Sequence, residues 1–353
     1  MDTDVLIIGA GQCGLALSRE LMRRHVAHEV VDAREAPGDV WRDRWDSLRL
    51  FTPARFDALP DRPFPADSAS YCPRGREFAD YLDDYAEAIR SPLRMGVRAT
   101  RVVAAPAGGF IVGLETARGA AEIGARRVVI ATGGHAEPRV PAEAAGLDAG
   151  IVRVHSGDYR RPEDLPGERV LVVGCGASGV QLGIELARSG REVTVAGRPT
   201  PAIPKPLLKV AGALWFAFLH HVLTRATPIG RKAAPRALRA GAPLIGLSAR
   251  ALDEAGATRA PRFVAAVDGQ PALADGRVVA VDTVLWATGY RPALDWIEGL
   301  PLDELGLPEH RRGISTIIPG LAFLGLPFQF GLTSTLIGGA ARDAAHVAAE
   351  IAR

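Results

Sequence analysis

Two unbroken apolar runs, Val5-Leu6-Ile7-Ile8 and Val170-Leu171-Val172-Val173, mark the chain, and each breaks off at a glycine. Runs this short and without alternation predict strands buried on both faces, as in a parallel sheet. Behind the first stand Gly9-Ala10-Gly11-Gln12-Cys13-Gly14, then Leu15, Leu17, Leu21 and Met22 at helical spacing, then Val30-Val31 ending at Asp32. Behind the second stand Gly174-Cys175-Gly176-Ala177-Ser178-Gly179, a helical pattern through Val180, Leu182, Ile184 and Leu186, and Val193-Thr194-Val195. Each is a strand–turn–helix–strand unit of the length a parallel crossover needs. Two further runs, Val128-Val129-Ile130 and Val284-Leu285-Trp286, both end in Ala-Thr-Gly (Ala131-Thr132-Gly133 and Ala287-Thr288-Gly289). Residues that small at a strand's carboxyl end let the chain pass close to a cofactor or cross between domains.

The pattern predicts an α/β chain of two Rossmann-like dinucleotide-binding domains, the second inserted in the first. The expected plan is a first domain over 1–148, a second over 149–289 with a helical insertion at about 201–246, and a return to the first domain over 290–353. The tail after Tyr290 is too short for another domain.

In each turn the first glycine permits the tight bend and the second lets a phosphate reach the backbone. The third allows helix to pack on strand, and the helix N-terminus offers free N–H groups to an anion. One such motif is weak evidence; two, each with its strand and helix, predict two dinucleotide sites. Asp32 ends the first unit's second strand, where a carboxylate accepts from a ribose hydroxyl and repels a 2′-phosphate, which suits FAD. The second unit has Ala196-Gly197-Arg198-Pro199 there, and Arg198 suits the 2′-phosphate of NADPH, a solvated loop arginine with NADH being the alternative.

Composition adds mainly exclusions. A hydrophobic fraction of 48%, a charged fraction of 23% and a net charge of +2 describe an ordinary globular chain with no pull toward nucleic acid. Cys13, Cys72 and Cys175 are far apart, which excludes a zinc ribbon or disulfide framework and fits a reducing cytoplasm. The Val5–Ile8 run leads into a glycine turn, so it does not read as a signal peptide. The apolar stretch Val210–Leu219, between Lys209 and His220-His221, is about half the length of a membrane span. No metal-ligand cluster is expected.

With those motifs in place, nearly the whole chain resembles the class B flavin-dependent monooxygenases, which include flavin-containing, auxin-biosynthesis-type and Baeyer–Villiger monooxygenases. Gly9 to Leu15 is similar to their FAD turn, with Asp32 and the adjoining Ala33 at the ribose. Gly38-Asp39-Val40-Trp41 resembles the segment that runs along the flavin, with Asp39 in place of a second glycine. Arg44-Trp45-Asp46-Ser47-Leu48-Arg49-Leu50 and Arg76-Glu77-Phe78-Ala79-Asp80-Tyr81-Leu82 resemble stretches that follow it. Gly174 to Gly179 is similar to their NADPH turn, and Ala287-Thr288-Gly289-Tyr290 to their second Ala-Thr-Gly segment. His155-Ser156-Gly157-Asp158-Tyr159 resembles the end of their linker signature, although Ala149 and Ile151 replace its upstream phenylalanine and glycine. Phe51-Thr52-Pro53 lacks the asparagine that some members place near the flavin C4a.

The resemblance implies that NADPH delivers a hydride to FAD N5 and that the reduced flavin binds O2 as a C4a-(hydro)peroxyflavin. One oxygen atom then passes to a small organic substrate and the other leaves as water, with S- or N-oxygenation ahead of ketone oxygenation. It further implies cofactor contacts at Gly9, Gly11, Gln12, Cys13, Gly14, Asp32, Ala33, Gly38, Val40, Trp41, Thr132 and Gly133, and at Ser156, Tyr159, Gly174, Gly176, Ala177, Ser178, Gly179, Arg198, Thr288 and Gly289.

Several residues allow two readings. Trp41 packs along the flavin or fills the core. Gln329 reaches flavin or substrate, which makes it the one catalytic candidate, or it serves an ordinary backbone contact. His155 reads as a linker or surface histidine, and Cys13 and Cys175 as small turn residues. Within the insertion, Leu214, Trp215, Phe218 and Leu219 fit a substrate passage, a peripheral membrane contact or a buried helical hairpin. The same architecture also serves NAD(P)H:quinone-type reductases and non-catalytic flavoprotein sensors. A thiol reductase needs a redox cysteine pair that the spacing does not offer.

Overall fold

The computed structural model describes residues 2–68, 70–203, 205–240 and 243–353. Pro204, Gly241 and Ala242 of the expected insertion therefore lie outside the described residues, as do the side chains of Lys209 and Val210.

The two apolar runs become inner strands of two sheets, each with parallel neighbours on both sides; the first sheet also carries antiparallel strands at its edges. Thr3–Ile8 lies between His28–Val31 and Gly119–Ile130, parallel to both. Arg169–Val173 lies in the same way between Glu192–Ala196 and Thr283–Trp286. Burial explains the missing alternation: Val5, Leu6 and Ile7 are fully buried, and so are Leu171 and Val172. The first sheet has nine strands and the second has five.

The chain enters and leaves the second unit side by side. Glu137–Pro138, on the way in, pairs antiparallel with Tyr290–Arg291, on the way out, and Arg291 meets Glu137 at 2.6 Å. The tail then rejoins the first sheet: Leu321–Phe323 pairs parallel with Gly119–Ile130. The last helix, Ile337–Ile351, buries Ala340, Ala344, Val347 and Ala348 in the cluster that also takes Leu15, Leu17 and Leu21 of helix Gln12–Arg23. Small residues on one helix face let two backbones approach closely, which is why an alanine-rich tail serves here.

The insertion forms helices Lys205–His221 and Pro228–Ala240, flanked by the short parallel pair Ala202–Ile203 and Leu244–Ile245. It is not a fully buried hairpin. Phe216 and Leu219 face inward, while Leu214 and Phe218 are exposed. No helix among the described residues is long and apolar enough to cross a membrane.

Candidate active site

The two glycine turns repeat each other in detail. A Cβ on Gly9 would collide with the Ala131 carbonyl, and one on Gly174 with the Ala287 carbonyl. Each Ala-Thr-Gly segment thus abuts the opening of its own turn, and only glycine fits between, at φ +113° and +122°. A Cβ on Gly14 or Gly179 would run into the carbonyl of that same first glycine. The middle glycines, Gly11 and Gly176, behave oppositely: a Cβ on either meets nothing within 4 Å. That space fronts the N-termini of helices Gln12–Arg23 and Ala177–Arg188, neither of which has a side-chain cap or an acid in its first turn. Helices Ala249–Glu254 and Gly75–Ile89 do have such partners, with Ser248 accepting from Ala251 N–H and Glu77 from Arg74 N–H, whereas helix Ile337–Ile351 has none. Uncapped amides facing open space fit an anionic diphosphate. Gly133 and Gly289, at φ +76° and +85°, also face open space. Both turns fit the pyrophosphate of a dinucleotide.

The positions after each second strand can be matched through their hydrogen bonds. Gly9 N–H donates to Val31 O and Gly174 N–H to Ala196 O, so Asp32 and Gly197 are equivalent. Asp32 accepts from Ala10 N–H at 2.7 Å and from Arg34 N–H at 2.9 Å, and each oxygen keeps a lone pair for a ribose hydroxyl. At Gly197 a Cβ would stand 2.7 Å from the Cys175 Sγ and 3.0 Å from its backbone N, so a side chain there requires Cys175 to shift. Arg198 is exposed one residue further on, at the position of Ala33.

Other expected residues fall as follows. Gly38 lies against the Ala79 backbone, beside Val40 in the short helix Asp39–Arg42. Trp41 packs edge-on against Phe78, ring centroids 5.1 Å apart, and its indole N–H reaches Gln12 at 3.4 Å. Ala177 and Ser178 open helix Ala177–Arg188. Thr132 is exposed beyond strand Gly119–Ile130, and the Thr288 hydroxyl donates to Arg139 O. Ser156 is buried, its N–H on Trp286 O at 2.9 Å. Burial pushes the Cys13 thiol up to about 12, with Asp343 adding to the shift, and burial also raises Cys175, so neither is a reactive thiolate. Gln329 is fully buried and accepts from Leu326 N–H at 3.4 Å, a contact within its own loop.

One expectation is corrected. Tyr159 does not face a cofactor: it is 1% exposed in the second unit's core, with its hydroxyl on Glu185 at 3.2 Å. Of the two readings of His155, linker or surface, the surface one fails: it is buried at the crossing between the units, its Nε2 3.1 Å from Gly289 O.

Structure adds two features that the sequence did not single out. First, residues 43–49 clamp the two units together. Trp45 is buried in the second unit's core, Asp46 N–H donates to Arg160 O, and Arg44 meets the Tyr290 hydroxyl at 2.9 Å while lying over its ring. Burying one tryptophan in this way contributes roughly 3 kcal/mol to holding the units together.

Second, a cavity of about 330 Å³ lies between insertion helix Lys205–His221, the start of helix Ile337–Ile351 and residues 52–58. Phe56, Phe216, Ala213, Ala217 and Leu336 give it apolar walls, and Thr52, Thr333 and His220 give it polar points. Burial, reinforced by Arg342 and His221, lowers His220 to about 4, so it is neutral at physiological pH. Behind Thr52, and fully buried, stands Asp57, which accepts the Thr52 hydroxyl at 2.5 Å. Desolvation raises that carboxyl to about 7, against the smaller lowering effect of the Thr52 bond. Asp57 Oδ2 has no partner among the described residues.

Two dinucleotide cradles on separate sheets, clamped by one loop, define a two-domain flavin and pyridine-nucleotide oxidoreductase. Residues 6–208 match the pyridine nucleotide-disulphide oxidoreductase family. The CzcO-like oxidoreductase of Geobacillus kaustophilus is 34% identical over 99% of this chain and 98% of its own length. A probable indole-3-pyruvate monooxygenase of Arabidopsis thaliana is 31% identical over 98% of this chain and 87% of its length. The flavin-containing monooxygenase from Stenotrophomonas maltophilia superposes with a TM-score of 0.77 at 28% identity, covering 99% of this chain and 98% of that one. The chain belongs to this oxidoreductase family and, within it, to the class B flavin-dependent monooxygenases. It is an enzyme whose cofactors are FAD and NADP.

Proposed function

We propose that the protein is an NADPH-consuming monooxygenase that inserts one atom of O2 into a small organic substrate seated in the cavity beside Thr52. The observation that carries this reading is the pair of open glycine turns, one with a carboxylate at its second strand and the other with a glycine there and an exposed arginine next to it. Residues 1–148 and 290–353 form the FAD unit, and 149–289 the NADPH unit. Gly9, Gly11, Gly14 and the amides of Gln12 and Cys13 hold the FAD diphosphate, and Asp32 its ribose. Gly38, Val40 and Trp41 flank the ring system, with Thr132 and Gly133 at the strand end. Gly174, Gly176, Ala177, Ser178 and Gly179 hold the NADPH diphosphate, Ser156, Thr288 and Gly289 border it, and Arg198 faces the 2′-phosphate. Gln329 supports its own loop through Oε1, and its buried Nε2, which has no partner among the described residues, is the candidate contact to flavin or substrate.

Bound FAD supplies hydride acceptance from NADPH and activation of O2. NADPH provides two electrons; one oxygen atom enters the substrate and the other leaves as water with a proton from solvent. The chain's own residues position the substrate: Phe56, Phe216 and Leu336 offer it an apolar wall, and neutral His220 adds no competing charge. Ketone oxygenation calls for a cation that polarises the carbonyl. Arg55, the one guanidinium lining the cavity among the described residues, is exposed. That favours S- or N-oxygenation, and the likeness to an indole-3-pyruvate enzyme makes ketone oxygenation the second reading.

The test is to reduce the FAD-loaded protein anaerobically with NADPH and mix it with oxygenated buffer. A transient absorbance that lasts for seconds, and incorporation of labelled oxygen into a sulfide or amine, are expected. Immediate reoxidation with stoichiometric peroxide, together with turnover of quinones, would instead mark a reductase. Failure of NADPH to reduce the flavin would leave a binding protein.

Arg198→Gln is expected to raise KM for NADPH about tenfold or more, the loss of one charge-assisted bond of roughly 1.5–3 kcal/mol, and to leave KM for NADH unchanged. Equal effects on both nucleotides would remove Arg198 from the phosphate site.

A further inference from the structure

The insertion carries a charge distribution unlike the rest of the chain. Across residues 201–246 stand seven arginines and lysines and no carboxylate, and all three lysines of the protein, Lys205, Lys209 and Lys232, lie there. Because the whole chain is only +2, the remainder is net negative. On helix Pro228–Ala240, Arg231, Lys232, Arg236 and Arg239 are all exposed. Arg231 holds the carbonyls of Arg225 and Ala226, and Arg239 reaches Glu304, while Lys232 and Arg236 project into solvent.

The same two helices expose large apolar side chains. Leu214 is 75% exposed and Phe218 37% exposed, one turn apart on helix Lys205–His221, and Ile229, at the start of the next helix, is 58% exposed. The opposite face of helix Lys205–His221, with Phe216 and Leu219, is buried. Leu214 and Phe218 share one face of the first helix, and Ile229, Lys232 and Arg236, at i, i+3 and i+7, share one face of the second. Exposed apolar side chains and exposed cations on one pair of helices are costly in water and are matched by one surface chemistry. Phosphate headgroups receive the cations, and the acyl boundary receives the leucine, phenylalanine and isoleucine. An acidic protein would answer the charge but not the aliphatic side chains, and Leu214 and Ile229 offer nothing for a nucleobase to stack on. With no membrane-crossing helix among the described residues, such contact is peripheral.

We propose that the hairpin formed by residues 205–240 docks on the surface of an anionic lipid bilayer. Ala213 and Ala217 are exposed on the helix that carries Leu214 and Phe218, and they also line the cavity. Docking therefore places the cavity beside the lipid, where apolar molecules dissolved in the bilayer are concentrated.

The test is co-sedimentation of the full-length, FAD-loaded protein with vesicles of phosphatidylcholine plus phosphatidylglycerol, against phosphatidylcholine alone. Binding to the mixed vesicles only, weakening as salt is raised, is the expected result. Lys232→Gln with Arg236→Gln should lower the partition coefficient about thirtyfold, two cations' worth of attraction. Leu214→Gln with Phe218→Gln should lower it further at high salt, where the apolar contribution persists. Flavin reduction by NADPH in solution, unchanged in both variants, shows that they are folded. Absence of binding to mixed vesicles, equal binding to both kinds, or wild-type binding by both variants would overturn the proposal. So would binding to polyglutamate or RNA with none to vesicles, which assigns the surface to another partner.

Discussion

Asp57→Asn is expected to stabilise the protein by about 2 kcal/mol at pH 8 and to destabilise it by about 1–2 kcal/mol at pH 4. The carboxyl is fully buried and rises from 3.8 to about 7 in the fold. Below the unfolded value both states are protonated, so burial carries no electrostatic cost. Between about pH 4 and pH 7 the unfolded chain ionises while the folded one stays protonated, so stability falls as pH rises. Above pH 7 the full penalty applies, with a ceiling of about 4 kcal/mol for a shift of this size. Asparagine keeps the shape and still accepts the Thr52 hydroxyl, but it never ionises. Its amide nitrogen takes the place of Oδ2, which has no partner among the described residues, and an unpaired donor there returns about 1–3 kcal/mol of the gain.

Urea unfolding of both proteins across pH 4–8 provides the check. Histidines held neutral by burial, such as His28 and His220, add a slope of the opposite sign: their folded values are lowered, so stability grows as pH rises toward neutrality. That contribution is common to both proteins and cancels in the difference. The difference should open between pH 4 and pH 7 and then level off. Parallel curves would mean that Asp57 is hydrated or paired, and that Thr52 is not committed to a buried acid.

Asp57 also shows where sequence reasoning stopped. In Phe56-Asp57-Ala58 it looks like any loop aspartate, and only the packing of the surrounding elements removes its water. The glycine turns were legible because their chemistry is local: six residues between a strand and a helix fix backbone, open space and free amides together. Asp32 was legible for the same reason, since its partners Ala10 and Arg34 are set by the adjoining turn and strand end. Tyr159 was misplaced because its direction depends on Glu185, across the domain core on another helix. The Arg44–Tyr290 contact joins residues 246 positions apart, and no spacing rule reaches that far. The segment around Arg44 could be recognised by likeness, but its role as a clamp between the units could not. Arg198 is exposed one residue after Gly197, and the structure adds that a side chain at Gly197 would crowd Cys175. A glycine next to an arginine does not announce that.

Gly176→Val should leave a folded, FAD-containing protein that NADPH reduces at least about a thousandfold more slowly. The backbone there has φ −74°, open to any residue, and an added Cβ meets no atom within 4 Å. The branched side chain therefore fills only the space in front of the uncapped helix Ala177–Arg188. Two charge-assisted hydrogen bonds to a diphosphate, roughly 2 kcal/mol each, account for the thousandfold. Dithionite should still reduce the flavin at the wild-type rate, since it needs no nucleotide cradle. Gly11→Val, the same change in the first turn, should instead give a folded but colourless protein. Gly179→Ala separates cradle from scaffold: its Cβ would collide with the Gly174 carbonyl, so it should destabilise the second unit even without nucleotide. If Gly176→Val is reduced by NADPH as fast as the wild type, the second turn does not hold the nicotinamide nucleotide. The hydride would then have to arrive by a route that bypasses the second sheet.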